Sequence, residues 1–586
     1  MAGSGAIVKL ALVGHRGVGK SHLLKRVENY LSDIPDIAFL SLDQEIERRT
    51  GKRIVDIFST QGEAFFRSLE NKVFTELSSE FKNLVLDVGA GFEGSFPEDF
   101  KTLWVKRAID SSQSQFLNRP QLDGSLVMDT ERFLKREKRY KSLCDVELEL
   151  LEHTQSSCAS EKKYFRYLFG IEKLSKEKSS WFVTLFESHK NFEFLNSLSG
   201  CGFELRDDLL TQESIKKILR KSFPFIISHR NKEYISETQK LIKENILWDW
   251  PLEWGKSEAP IHSLHQRKDS LVETLKVLDS IDGVIKLAIP ILDFKELQTA
   301  YQWYKEDPEK RVFLPSSEEG RWKWFRLLTG HQMKFSYLRE SCGSSLDQPT
   351  LLEVLRYEPN NKLWSGILGA PVKHSLTPST HEKYFKEKKA NVLHVDLKEH
   401  EWESGISFLK ELGLRWAAVT SPLKLKAFSL VKENQGKKED LKSTNTLIFK
   451  DRWLGTNTDI DGLAKLALNL KDQSVVVWGG GGTLDVIKKF FPQAVFYSSR
   501  TGEPRGSSVN GSPHSIIWAV GRESFLKEGV LPPKKWSPEQ VVDLNYTQDS
   551  PGISCAYNYG CQYHSGLDMF LEQARKQQEF WDSYGI

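Results

Sequence analysis

The eight residues Gly14-His15-Arg16-Gly17-Val18-Gly19-Lys20-Ser21 constrain this chain more than any other segment. They follow the apolar run Ala6 to Val13 and precede the helical pattern Ser21 to Leu31, so a strand leads into a glycine-rich loop and a helix leads out of it. This is P-loop spacing. Glycines let backbone N–H groups wrap phosphates, a lysine at position 20 reaches the β and γ oxygens, and a hydroxyl at position 21 holds Mg²⁺ at the helix N-terminus. Gly14, Gly17, Gly19, Lys20 and Ser21 are therefore candidate ATP-binding residues, with Ser21 the candidate metal ligand. Leu84 to Val88 reads as a further strand and Glu63 to Glu76 as a further helix, which suggests a parallel sheet covered by helices.

At 586 residues the chain exceeds one ordinary core, and its rhythm divides it into three blocks of an α/β multidomain protein. The expected division is 1–155 for the phosphate-binding block, 156–180 for a polar linker with one short helix, 181–358 for the second block and 359–586 for the third. In the second block eight strand candidates recur: Trp181 to Phe186, Gly202 to Leu205, Phe223 to Ser228, Ile246 to Trp248, Pro260 to Leu264, Gly283 to Ile291, Arg311 to Leu314 and Met333 to Leu338. Eight strands separated by helical patterns argue for a (β/α)8 barrel. The third block holds another glycine-rich strand-to-helix turn, Val475 to Ile487, which predicts a two-lobed unit with a Rossmann lobe over about 470–560.

Composition narrows the partners. Lys+Arg 82 against Asp+Glu 79 leaves a net charge of +3, without the basic excess of a nucleic-acid or anionic-membrane binder. No run approaches the roughly 18 apolar residues of a membrane span. The six cysteines contain no Cys-x-x-Cys pair, so neither a disulfide framework nor a zinc site is indicated and a reducing cytoplasm is expected. Small molecules are the expected partners, and a homodimer is compatible with the sequence.

Further along the first block, Ser41-Leu42-Asp43, Gly62-Glu63-x-x-Phe66-Arg67, Gly89-Ala90-Gly91, Arg119-Pro120-Gln121-Leu122 and Arg136-x-x-x-Tyr140 together resemble shikimate kinase. The resemblance implies that Asp43 accepts hydrogen bonds from shikimate hydroxyls beside Gly89 and Gly91. It also implies that Arg67 and Arg136 clamp the substrate carboxylate and that Arg119 steadies the transferred phosphoryl group. The chain departs from the family at Ser41, which stands where the first Asp of the Asp-x-Asp segment would lie near the Mg²⁺ shell.

In the second block Val284-Ile285-Lys286-Leu287-Ala288-Ile289 embeds a cation in an apolar strand. Burial pushes such an amine toward its neutral, nucleophilic form, which suits a Schiff base with a ketone. Glu204-Leu205-Arg206-x-Asp208, Ser228-His229-Arg230 and Ser263-Leu264-His265 around it resemble type I 3-dehydroquinate dehydratase. That resemblance implies an imine on Lys286, proton transfer by His265, and a pocket lined by Glu204, Arg206, Arg230, Arg326 and Gln348; the family's third-strand acid is either Glu253 or absent. His262 and His265, three apart in a strand, face opposite sides and do not share a metal.

The third block resembles shikimate dehydrogenase in five ordered motifs, from Gly369-x-Pro371-x-x-His374-Ser375-Leu376-Thr377-Pro378 through Val419-Thr420-Ser421-Pro422-Leu423-Lys424, Ser443-Thr444-Asn445-Thr446-Leu447 and Gly455-Thr456-Asn457-Thr458-Asp459 to Gly566-Leu567-x-Met569-x-x-x-Gln573-Ala574. The resemblance implies Lys424 and Asp459 as the catalytic pair, with Ser375, Thr377, Thr420, Asn445 and Gln573 holding the substrate. Independently of it, Val475 to Trp478 runs into Gly479-Gly480-Gly481-Gly482, a turn through which backbone approaches a pyrophosphate. Arg500 and Thr501 follow where an NAD enzyme places an acid for the ribose hydroxyl, so NADP(H) is the expected cofactor, with Gly479, Gly481, Gly482, Arg500 and Thr501 its candidate ligands.

The order of the three blocks is like that of the last three domains of the pentafunctional arom polypeptide, which implies a trifunctional shikimate-pathway enzyme using ATP, Mg²⁺ and NADP(H). The competing class is a non-catalytic transcriptional repressor or sensor built on the same three domains; Lys20, His265, Lys286, Lys424 and Asp459 speak against it, because a sensor has no need of an imine-forming lysine.

Overall fold

The structure is a computed structural model that describes residues 9–97, 99–107, 126–150, 159–169, 180–187, 201–220, 223–234, 246–255, 257–340, 345–370, 372, 377–431, 443–470, 474–480, 484–521, 525, 529–545 and 550–585. Arg119, Ser375, Gly481 and Gly482 lie outside the described residues, as does the side chain of Thr377. The chain forms two compact units, the first holding two parallel sheets and the second holding one mixed and one parallel sheet.

The first sheet has five parallel strands in the order β2-β3-β1-β4-β5: β1 (Lys9–Val13), β2 (Ile37–Ser41), β3 (Asn83–Asp87), β4 (Phe100–Arg107) and β5 (Val146–Leu150). Leu10, Ala11 and Leu12 of β1 are fully buried, as a central strand covered on both faces requires. Helices α1 (Lys20–Tyr30), α2 (Leu42–Thr50), α3 (Ile54–Glu80) and α4 (Leu126–Leu143) belong to this sheet. Inside α3 the backbone breaks at Gly62, whose φ of 79° and ψ of 170° are non-helical. Only glycine enters that region without strain. The break restarts the helix at Glu63, and from there Phe66 and Glu70 are buried.

The stretch expected as a linker contributes α5 (Ala159–Leu168), which is part of the core rather than a tether. Phe165 and Leu168 are fully buried in one apolar cluster with Leu23 and Val27 of α1 and Val183, Phe203 and Leu205 of the second sheet. On the same helix Glu161, 2% exposed, pairs with Arg26 at 2.8 Å and accepts from the Tyr30 hydroxyl at 3.1 Å. The polar sequence of this segment conceals the docking because its apolar residues fall on one helical stripe.

The second sheet contains the eight strands expected from the sequence: β6 (Trp181–Thr184), β7 (Gly202–Arg206), β8 (Phe225–Ser228), β9 (Leu247–Pro251), β10 (Ile261–Leu264), β11 (Val284–Leu287), β12 (Arg311–Phe313) and β13 (Ser336–Leu338). Each pairs in parallel with the next from β6 to β12, and β13 returns to pair with β6. Among the described residues β12 and β13 are not paired, so the ring of hydrogen bonds has one seam, between two strands of only three residues each.

In the second unit, β14 (Trp364–Gly369), β15 (Asn391–Asp396), β16 (Leu414–Val419), β17 (Thr446–Phe449) and β18 (Trp453–Thr456) form a mixed sheet in which the last two pairings are antiparallel. A parallel sheet in the order β20-β19-β21-β22-β23 follows: β19 (Val475–Gly479), β20 (Val495–Tyr497), β21 (Ser515–Ala519), β22 (Gln540–Asp543) and β23 (Gln562–His564). Its switch point lies at the carboxyl end of β19, where ligands bind in open α/β sheets. The final helix, Leu567–Asp582, packs against the helix Asp459–Asn469 and returns to the first lobe, where the Trp581 indole donates to the Leu447 carbonyl at 3.0 Å.

Candidate functional sites

The loop between β1 and α1 has the backbone that its glycines predict. Gly14, Gly17 and Gly19 have φ of 149°, 90° and 96°, and a Cβ on Gly14 would lie 2.6 Å from the Val105 carbonyl oxygen. Helix α1 opens without a side-chain cap and without an acidic residue in its first turn, so its N-terminal N–H groups and positive dipole end are left for an anion. Lys20, 8% exposed, folds over the loop with its ammonium donating to the carbonyls of Gly14 (3.1 Å) and His15 (3.3 Å). Burial, with Arg136 and Lys20 nearby, pushes the His15 pKa down to about 3, so it adds no charge to the cradle. These residues fit a nucleotide's phosphates. The oxygen donors beside them suit a hard cation: the Ser21 hydroxyl donates to Asp87 Oδ2 at 2.6 Å.

Next to the cradle, the residues assigned to shikimate converge on Gly89 and Gly91. A Cβ on Gly91 would lie 2.4 Å from Arg67 Nη2 and 3.1 Å from Arg136 Nη2, so two guanidiniums meet over one glycine. A Cβ on Gly89 would lie 2.9 Å from Glu70 Oε1 and 3.1 Å from Asp43 Oδ1. Burial and the neighbouring Asp87 raise the Asp43 pKa, against the pull of Lys20. Glu70 was not singled out from the sequence, yet it is 1% exposed and holds Arg67 Nη1 at 2.8 Å. Its position one helical turn after Arg67 was the available signal.

In the eight-stranded sheet polar groups gather within the strands and in the segments just past their carboxyl ends. Glu204 of β7, Asp249 of β9, Lys286 of β11 and Tyr337 of β13 come from alternate strands, as one barrel layer requires, and all four are buried. The Lys286 ammonium donates to Asp249 Oδ2 and lies 5.1 Å from the Tyr337 ring centroid. Arg230 Nη2 donates to the same carboxylate oxygen at 3.2 Å. Glu204 accepts from Thr184 (2.6 Å) and Ser228 (2.8 Å), and Gln348 donates to Thr184 at 3.2 Å. Arg206 pairs with Asp208 at 2.6 Å, and Arg326 is 4% exposed with Asp347 and Glu204 in its field.

Burial lowers the Lys286 pKa, partly opposed by Asp249, while the Asp249 carboxyl is held well below its usual range by Lys286 and Arg230 despite its own burial. Burial first, then Arg230 and Lys286, pushes the His265 pKa down to about 2, so its imidazole is a neutral base. His265 Nε2, Asp249 Oδ1 and Gln348 Oε1 are buried polar atoms with no hydrogen-bond partner among the described residues, which is the condition of a site that pairs with a polar ligand.

Asp249, absent from the sequence assignments, is the buried acid that pairs with Lys286, and it lies on β9, the fourth strand of this sheet. Glu253 instead accepts from the backbone N–H groups of His265 (2.8 Å) and Gln266 (3.1 Å) and fixes their loop. His262 turns to the other face and bonds the Ser257 carbonyl at 3.0 Å.

The third site lies in the second unit. Asp459 is the first residue of the helix Asp459–Asn469, where the dipole favours a carboxylate. It accepts from Lys424 at 2.5 Å, from Asn445 Nδ2 at 2.8 Å and from Gln573 Nε2. Lys424 begins the helix Lys424–Val431, an unfavourable place for a cation that the paired carboxylate offsets. Thr458 and Gln577, which the motif reading did not assign, complete the set: Thr458 N–H donates to Asn445 Oδ1 at 2.9 Å and Gln577 Nε2 to the Asn445 carbonyl at 3.2 Å. Thr420 packs on Gly369, where a Cβ would lie 2.3 Å from its Cγ2.

At the carboxyl end of β19, Gly479 and Gly480 have φ of 94° and 107°, and a Cβ on Gly479 would lie 2.4 Å from Val520 Cγ2. Arg500 and Thr501 form the turn after β20, each donating its backbone N–H to Ser498 Oγ at 3.3 Å, with both side chains exposed. The bare turn and the exposed guanidinium fit a dinucleotide that carries a 2′-phosphate.

Fold and sites thus define a P-loop phosphotransferase domain and a two-lobed nicotinamide-dependent dehydrogenase, with an eight-stranded parallel sheet between them in sequence. Comparison with known proteins gives the families. Residues 16–161 match the shikimate kinase family, and residues 367–447 match the shikimate dehydrogenase substrate binding domain. A shikimate dehydrogenase (NADP(+)) from Prochlorococcus marinus is 30% identical over 256 residues, covering 37% of this chain and 90% of the relative. A shikimate kinase from Flavobacterium johnsoniae is 40% identical over 117 residues, 19% of this chain and 66% of the relative. The solved shikimate dehydrogenase from Aquifex aeolicus aligns with 39% of this chain and 95% of its own at 22% identity, with a TM-score of 0.32. The chain belongs to the shikimate dehydrogenase family and carries a shikimate kinase domain ahead of that part. These memberships imply ATP with Mg²⁺ for one domain and NADP(H) for the other.

Proposed function

We propose that the protein carries out three steps of the shikimate pathway: dehydration of 3-dehydroquinate, reduction of 3-dehydroshikimate with NADPH, and phosphorylation of shikimate with ATP. The observation that carries the first step, and with it the trifunctional reading, is the layer of Glu204, Asp249 and Lys286 with His265 beside it. The neutral amine of Lys286 adds to the substrate ketone, and water leaves as the imine forms. His265 then removes the α-proton and returns it to the departing hydroxyl, which leaves as water. Hydrolysis of the imine frees the enone and restores Lys286. In the kinase domain Arg67 and Arg136 orient the carboxylate, Asp43 draws on the attacking hydroxyl, and Lys20 meets charge developing on the phosphates. Bound NADPH supplies the hydride to the dehydrogenase site, where Lys424 gives a proton to the developing alkoxide.

Cys144, Cys201, Cys555 and Cys561 are free thiols, and no helix among the described residues is long and apolar enough to cross a membrane.

Incubation of the pure protein with 3-dehydroquinate, NADPH, ATP and Mg²⁺ is expected to yield shikimate 3-phosphate, with 3-dehydroshikimate and shikimate passing through. Absence of any 3-dehydroshikimate removes the dehydratase step from the reading. With Lys20→Ala the mixture should stop at shikimate, with NADPH oxidation unchanged. If NADPH oxidation falls equally, the two activities do not reside in separate sites.

Arg500→Ala should raise the KM for NADPH by about 10- to 100-fold, the scale of a lost charged hydrogen bond, while leaving that for NADH nearly unchanged. Parallel shifts would place the 2′-phosphate elsewhere.

A further inference from the structure

The kinase domain lacks a carboxylate at Ser41, yet the neighbouring strand supplies one. β2 and β3 are parallel neighbours in register, and the residue opposite Ser41 is Asp87, the last of β3. β3 in turn lies against β1, with Asp87 opposite Leu12 just ahead of the phosphate-binding loop. Asp87 is 6% exposed, and its carboxylate accepts the Ser21 hydroxyl at 2.6 Å. Ser41 makes no side-chain cap to the helix that it precedes. A hydroxyl whose proton is committed to a carboxylate turns its lone pairs outward, which is the orientation that a cation needs from Ser21. Mg²⁺ dehydrates reluctantly and takes only one or two carboxylates, so a single acid at this place suffices.

We propose that Asp87 stands in for the acid missing at Ser41 of the kinase domain's Mg²⁺ site, orienting Ser21 and bringing its negative charge beside the ion from across the β2–β3 ladder. The assignment rests on the kinase reading above. It makes Asp87 a positioning residue, acting on the ion through Ser21 and through the charge that it brings to the cradle.

The test is Mn²⁺ binding to the full-length protein with ADP, followed through the electron paramagnetic resonance of free Mn²⁺, beside ADP binding in EDTA by calorimetry. Asp87→Asn should weaken Mn²⁺ binding to the ADP complex by about tenfold or more, the usual cost of losing a group that orients a metal ligand, with metal-free ADP affinity within about twofold of wild type. The exchanged pair Ser41→Asp with Asp87→Ser should recover most of the lost affinity, and it keeps the question answerable if Asp87→Asn does not fold. Far-UV circular dichroism and the thermal unfolding midpoint report folding of each variant.

Unchanged Mn²⁺ affinity in Asp87→Asn, an equal loss of metal-free ADP affinity, or an exchanged pair no better than Asp87→Asn would each overturn the assignment. Shikimate plays no part in this measurement. Failure of the wild type to bind ADP at all would instead count against the kinase reading.

Discussion

Borohydride added to the protein with 3-dehydroquinate is expected to leave one covalent adduct, on the peptide carrying Lys286. Reduction converts an imine into a stable amine, and Lys286 is the lysine that the fold both buries and places in one polar layer with Glu204 and Asp249. Lys286→Met should abolish trapping and lower dehydratase turnover by about 10⁴-fold or more, the scale on which loss of a covalent nucleophile is felt. His265→Ala should still permit trapping while turnover falls by about 10²- to 10⁴-fold, because the amine alone forms the imine and elimination needs a base at the α-carbon.

Asp249 gives this prediction a pH dependence. Its charge stabilises the ammonium of Lys286, in opposition to burial, and so raises the pH at which the amine becomes neutral. Asp249→Asn removes that support and leaves Arg230 and burial to act against the charge. The pH midpoint of trapping should therefore move down. A midpoint that stays put or rises would show that Asp249 does not set the state of Lys286. Absence of any adduct from turning-over wild type would remove the imine altogether.

Lys286 was legible in the sequence because a cation inside an apolar run is conspicuous, and its counter-charge was not. Asp249 lies in Trp248-Asp249-Trp250, where the reading ended the strand at Trp248, while β9 extends to Pro251 and turns Asp249 inward. The usable signal was three-dimensional: alternate strands of a barrel share a layer, so the partner of a lysine on β11 belongs on β9. Asp87 was hidden for a related reason, since it ends an apolar strand that reads as core and only the β2–β3 register sets it opposite Ser41. Motifs with fixed local spacing carried over better. Gly14 to Ser21 and the pair Lys424 and Asp459 lie at strand ends and helix starts, where backbone geometry and spacing specify one another. The docked helix α5 shows the opposite limit, because what a polar segment packs against depends on elements far away in the chain.

In the dehydrogenase site, Lys424→Met is expected to lower kcat for 3-dehydroshikimate reduction by about 10²- to 10⁴-fold, the span of a lost general acid. NADPH affinity should hold, because the Gly479–Gly480 turn and Arg500 belong to the other sheet of the unit. Asp459→Asn should behave differently. The carboxylate accepts Lys424 on one oxygen and both Asn445 and Gln573 on the other, three donors in all. An amide offers one acceptor oxygen and no charge, so its NH₂ group faces either Lys424 or the pair Asn445 and Gln573, and the donors left on the oxygen are held less firmly than by a carboxylate. KM for 3-dehydroshikimate should then rise together with the fall in kcat, whereas Lys424→Met should act mainly on kcat. Steady-state kinetics of the two variants at saturating NADPH separate these outcomes. A Lys424→Met enzyme that keeps kcat within about tenfold of wild type would assign the proton to another donor. An Asp459→Asn enzyme with unchanged KM would show that the three-donor cluster does not hold the substrate-facing amides.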